Sequence, residues 1–258
     1  VVVAADFFPG RKKPMADVAV AAKGVRVYKP NRAADRVYFS AIPLVMLAMV
    51  LYGFAKTYFL AGMVAAPLPN KLIHVHGAAF TLWMILLIVQ TGLVATRHVK
   101  LHMQLGLFGF GLACAMVGLG LAAAVDAMRR GEAPLGLDAV TFFVIPVTTI
   151  VMFAVLVGAA WRLRRNPEAH KRLIILGTMA LMDAAIGRWP HPEILQRIPP
   201  TQDVVMLLLL LTLVAYDLFS LHRVSRYTVF GVVLVMAVHL TRVPLGHTAA
   251  WHALAGKI

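Results

Sequence analysis

The chain has 258 residues, 60% of them hydrophobic and only 14% charged, with a mean hydropathy of +0.80. A soluble domain of this length has no way to bury so much apolar surface, and there is one cysteine. A soluble globular enzyme, a disordered chain and a disulfide scaffold are therefore excluded. The formal net charge of +14 then reads as topology determinants and contacts to anionic lipid rather than as a nucleic-acid surface, so no nucleic-acid partner is expected.

Residues 1–36 differ from the rest. They carry eight Lys/Arg, from Arg11 to Arg36, against Asp6, Asp17 and Asp35. They read as a basic arm at the membrane surface, with Phe7, Phe8 and Tyr28 available to lipid or to a partner, or as a solvated tail. Seven apolar segments follow, at 37–61, 72–95, 103–125, 139–161, 172–188, 203–221 and 227–246. Each is about long enough to cross ~30 Å of hydrocarbon as a helix. The fifth is the shortest and carries Asp183. The expected fold is an all-α integral membrane bundle of seven transmembrane helices over 37–246, with a short tail at 247–258. The glycines of the third segment, Gly106, Gly109, Gly111, Gly118 and Gly120, predict close helix contact.

Loop charge gives the orientation. With the arm's side taken as inside, seventeen Lys/Arg fall in the inside regions and seven in the outside ones. The positive-inside rule then predicts an inside N-terminus and an outside C-terminus, which an odd number of helices satisfies.

Ten histidines are the main chemical signal. The predicted topology puts His74, His76, His191, His239, His247 and His252 toward the outside. His98, His102, His170 and His222 fall inside. Ionisable groups within a bilayer are costly and face the bundle interior with a partner. His74, His76, Asp183, Arg188, His239 and Arg242 thus form one candidate outer constellation, with His239 and Arg242 three apart on one helix face. Three readings stay open for it: an ion pair locking helices together, a metal site of His74, His76, His239 and Asp183, and a proton or anion path. His74 and His76 converge on one metal only if the backbone there is extended, because two such residues on a helix point apart.

Haem b needs two imidazoles on facing helices at similar depth. His76 with His239 is a candidate pair outside; His102 with His170 or His222 is a candidate pair inside. Interfacial histidines bonded to loop carbonyls or lipid explain the inner ones equally well. The His98/His102 spacing matches one box of membrane di-iron enzymes but lacks the companion boxes. A retinal pigment is disfavoured, since the seventh segment has no lysine for a Schiff base. The face of the second segment holding Phe80, Trp83, Leu87 and Gln90 reads as a packing face with one polar helix–helix bond rather than a cofactor wall.

Two blocks carry a resemblance: His74-Val75-His76-Gly77 with Phe80, Trp83, Gln90, Leu93-Val94, Leu101-His102 and Leu105-Gly106, and Asn166-Pro167-Glu168-Ala169-His170-Lys171-Arg172-Leu173. Together they resemble an uncharacterised bacterial family of multi-pass inner-membrane proteins, over most of residues 37–250. The His-Lys-Arg-Leu element is also similar, over a short stretch, to small membrane proteins of cytochrome-oxidase assembly. The resemblance implies a location in the bacterial inner (cytoplasmic) membrane and supplies no activity. The functional expectation is a non-enzymatic accessory or assembly subunit of a larger bioenergetic membrane complex. Its partners would be membrane lipids and other membrane subunits, met through the arm and helix faces, with haem b or a transition metal held by histidine. The alternatives are a redox protein carrying b-type haem or metal, and a proton-coupled transporter or channel using Asp183, His239 and Arg242.

Overall fold

A computed structural model describes residues 32–61, 70–134, 136–189 and 201–258. The arm up to residue 31, His191 and Arg197 lie outside the described residues. Every regular element among the described residues is helical. In chain order these are α1 (Arg32–Phe54), which runs into a π-helical turn (Ala55–Phe59), α2 (Lys71–Ala95), α3 (Val99–Arg129), α4 (Ala139–Arg162), α5 (Pro167–Leu181), α6 (Asp183–Ile186), α7 (Thr201–Leu221), α8 (Arg226–Gly246) and α9 (Ala249–Ala255).

Six helices are long and apolar enough to cross a membrane: Ala33–Phe59, Lys71–Ala95, Val99–Arg129, Ala139–Arg162, Gln202–Leu221 and Arg226–Gly246. They fall on six of the seven predicted segments. Large apolar side chains stand exposed along them, among them Val37, Leu107, Phe219 and Leu240. A water-soluble surface would not carry such a belt, whereas hydrocarbon solvates it.

The fifth predicted segment, 172–188, differs. It forms the 15-residue α5 and the single turn α6, broken at Met182. Fifteen residues rise only about 22 Å. From Arg172 to Leu181 every residue except Ile174 is buried. Other helices enclose the segment, so it needs no lipid-matched length of its own.

Local chemistry sets the helix ends. Asn166 accepts from the backbone N–H groups of Glu168 and Ala169 ahead of Pro167 in the first turn of α5, the arrangement that satisfies two orphan donors. Asp138 caps α4 by accepting from Val140 and Thr141. Those bonds, the Thr141 ones first, hold its carboxyl down at about 2, so the cap is ionised at any physiological pH. Arg97, at φ 67°, turns the chain between α2 and α3 in the left-handed region.

Packing follows the chain, α2 on α3, α3 on α4 and α4 on α5, while α8 returns against α4 and α5 and α1 leans on α2, α6 and α7. Trp83 and Leu87 of α2 lie in the core; Trp83 meets Phe153 edge-on at 5.2 Å and its indole N–H donates to Thr178 at 3.2 Å. That is the polar helix–helix bond expected of this face, made by Trp83 rather than by Gln90.

The glycines of α3 divide between two faces. Gly109 sits against Leu86 and Gly120 against Ile150, as close packing requires, while Gly111 and Gly118 meet nothing. The tightest backbone approach lies elsewhere. A Cβ at Gly53 of α1 would overlap the Ala185 carbonyl of α6, and that partner is backbone and cannot swing away. Gly53→Ala is expected to cost about 1–3 kcal/mol through forced separation of α1 and α6. A thermal melt in detergent checks this: an unchanged midpoint would show the two helices to be free to part.

Candidate functional site

Two layers of buried charge cross the bundle, one near each end. The first joins α5, α7 and α8. Arg172, 1% exposed, donates from Nε at 2.9 Å and from Nη2 at 2.5 Å to Oδ1 of Asp217, which is fully buried. Its Nη1 donates to the Glu168 carbonyl at 3.1 Å. The other carboxylate oxygen of Asp217 accepts from the Ser225 backbone N–H at 2.9 Å and from the Thr228 hydroxyl at 2.5 Å. The Ser225 hydroxyl donates to Glu168 at 2.7 Å. Asp217 therefore neutralises the guanidinium and sits at the start of α8, where the helix dipole favours an anion. Beside it Lys171 donates to Asp35 at 2.6 Å and lies 4.6 Å over the Phe39 ring.

Sequence reasoning misses this layer. It counts Arg172 among the loop charges and does not single out Asp217. The signal is present: Asp217 stands in an apolar run, the criterion that brings out Asp183.

The second layer joins α6, α7 and α8. Asp183, 2% exposed, receives a two-pronged bond from Arg242, with Nη1 to Oδ2 at 2.6 Å and Nη2 to Oδ1 at 3.0 Å. Gln202 donates to the Asp183 side chain at 2.5 Å and to its backbone carbonyl at 3.1 Å. His239, also buried, lies between two carboxylates: its Nδ1 is 3.0 Å from Asp203 and its Nε2 3.7 Å from Asp183. His239 and Arg242 do share one face of α8, as their spacing requires. Asp203 and Gln202 are the members that sequence reasoning does not name.

The remaining predicted members stand apart. Arg188 donates to the Ala184 carbonyl at 2.7 Å and lies 4.6 Å over the Phe54 ring, with no hydrogen bond to Asp183. His74 shares a hydrogen bond of 3.2 Å with the Tyr58 hydroxyl. His76 packs on Phe80 at 4.2 Å. Both histidines lie on the regular helix α2, so they point to different neighbours and the extended entry that a shared metal needs is absent there. No group of three or more metal-ligating side chains comes together among the described residues. The four-residue metal set of His74, His76, His239 and Asp183 is thus not assembled. His76 and His239 do not pair either, because His76 lies on Phe80 while His239 is held by Asp203 and Asp183.

At the opposite end His102 of α3 and His170 of α5 do meet. Their ring centres are 6.3 Å apart with the planes at 79°. Of the inner haem candidates, His170 is a ring neighbour of His102. No protein family, curated protein or solved structure matches the chain, so the resemblance carried by the two motif blocks rests on those residues alone.

Proposed function

We propose that the chain is a seven-crossing, non-enzymatic subunit of a larger bioenergetic membrane assembly, docking through a lipid-exposed helix face. The observation that carries the reading is on α3. Gly111, Ala115, Gly118 and Ala122 recur at helical spacing on one exposed stripe, with Cys114 beside them. A lipid-facing helix gains nothing from small residues, whereas a second helix packs closely on them.

The buried charges support a structural rather than a transport role. Each layer is built on a buried ion pair holding α7 and α8 to α5 or α6, closed around Asp217 and leaving His239 Nε2 and Arg242 Nε unbonded around Asp183, and such pairs serve as clamps. The layers also support a seventh crossing. Arg172 lies with the end of α7 and the start of α8, and Asp183 with the start of α7 and the end of α8. The segment α5–α6 therefore runs between the two ends of the bundle. Asp203 and Asp217 mark the same two levels, about 21 Å apart along α7. An odd number of crossings and the excess of Lys/Arg on the arm's side favour an inside N-terminus in an inner membrane.

Cys114 supplies the test. In native membranes, a thiol-directed crosslinker at Cys114 should trap a defined larger species, and gentle solubilisation should keep that species together. A Cβ at Gly118 would meet no atom of the described residues within 4 Å, so Gly118→Leu should release the chain as a folded monomer. A wild-type chain that is monomeric in mild detergent and uncrosslinked in the membrane would refute the subunit reading.

A further inference from the structure

We propose that His102 and His170 form a binding site for one metal centre that takes two imidazoles on opposite sides, as a haem iron or a square-planar copper ion does. The distance between the rings carries the argument. Metal–imidazole bonds are about 2.0–2.1 Å long, and each nitrogen lies ~1.1 Å from its ring centre, so trans ligands have ring centres roughly 6 Å apart and tetrahedral ligands roughly 5 Å. The observed 6.3 Å fits the trans arrangement.

The second ring nitrogen of His170 has a partner of the kind that metal-bound histidines use. Its Nδ1 lies 3.1 Å from the Ala160 carbonyl. A carbonyl only accepts, so Nδ1 carries the proton and Nε2 is left with a lone pair. Donation to a carbonyl also fixes the ring and raises its basicity as a ligand.

His102 stands in the first turn of α3. Around it polar groups are left without partners: Nδ1 of His102 and Oε1 of Gln90 are both buried and unbonded. The Gln90 amide nitrogen lies 3.9 Å from where a Cβ of Gly106 would stand, one helical turn beyond His102. Buried polar atoms are nearly always satisfied, so orphaned ones beside a bare imidazole nitrogen mark a place where something else supplies the bond. The two histidines belong to different helices, α3 and α5, which do not pack extensively on each other; a shared centre would tie them together. The proposal stands whether or not α3 docks on a partner subunit.

The test uses the full chain in detergent, titrated separately with haemin and with Cu(II). One equivalent of haemin should give a low-spin spectrum with a cytochrome-type band on reduction, or one equivalent of Cu(II) should give an electron-paramagnetic signal with two-nitrogen coupling. The first outcome assigns a haem iron and the second a bare ion. His102→Ala and His170→Asn should each abolish the signal; the asparagine amide can still donate to the Ala160 carbonyl, so the local fold is kept. His98→Ala should retain it, because His98 is a nearby exposed histidine bonded to Thr96. The proposal is overturned if the wild-type chain binds neither probe beyond the level of the double variant, or if both single variants, folded by circular dichroism, keep the wild-type signal.

Discussion

Asp217→Ala is expected to lower stability by about 3–5 kcal/mol, because it leaves the Arg172 guanidinium buried and unpaired. Asp217 is fully buried and accepts four hydrogen bonds, two from Arg172 and one each from Ser225 and Thr228. Water has no access to replace them. The substitution thus strands one charge and two neutral donors at once, and α7 and α8 lose the polar link that Asp217 makes to Arg172 of α5. The measurement is a thermal or denaturant melt of the detergent-solubilised chain. A double replacement, Arg172→Met with Asp217→Leu, separates the charge from the hydrogen bonds. Removing both charges takes away the desolvation cost, and buried ion pairs replaced by apolar residues are often neutral or better. The Ser225 N–H and the Thr228 hydroxyl would remain unbonded, at about 1–3 kcal/mol each. The double variant should therefore recover part of the loss and not all of it. An Asp217→Ala chain that melts like the wild type would show that the pair holds nothing together.

Asp183→Ala is expected to have an effect of similar size at the other end of the bundle, again about 3–5 kcal/mol, by stranding Arg242. Arg242 grips both oxygens of Asp183, and a two-pronged guanidinium–carboxylate contact is among the strongest polar interactions in a protein. Asp183→Asn keeps the shape and one acceptor but removes the charge, so it should be nearly as damaging. His239→Leu should be milder, since the Nδ1 contact it removes is to Asp203, which stays partly exposed. This ranking also discriminates between functions. A clamp predicts that stability follows Asp183 and Arg242 and that vesicles holding the wild-type chain show no proton flux. Proton flux that vanishes in Asp183→Asn, with an unchanged melt, would move the transport reading ahead of the structural one.

Helix positions are legible from the sequence because a bilayer imposes a simple rule. Backbone polar groups in hydrocarbon must bond within their own segment, so an apolar run of sufficient length is a helix. Six of the predicted segments match helices to within a few residues at most ends. The fifth is legible as an apolar segment, but its form is not. Its break at Met182 and its enclosure by other helices are set by tertiary packing, and periodicity carries no record of them.

The candidate site is legible in a narrower sense. Asp183, His239 and Arg242 are brought out by one energetic argument, that a charge in hydrocarbon needs a partner, and these three do meet. Arg172 and Asp217 obey the same rule. It has no power over His74 and Arg188, which lie exposed near the helix ends where water and headgroups relax the cost of polarity, or over His76, whose Nδ1 is buried without a partner. There a side chain follows its nearest neighbour, Tyr58, Phe80 or Phe54, and no rule of spacing names that neighbour.

That the chain lives in a membrane, where its helices lie and which residues need partners can be read from the residues in order, because these are properties of one segment and its solvent. The identity of the partners comes from the packed bundle. It paired Arg172 with Asp217 across 45 residues and Arg242 with Asp183 across 59, separated His74 and His76 from His239, and set His102 against His170. Those choices depend on the rotation and depth at which helices pack, which are fixed by contacts summed over the whole bundle.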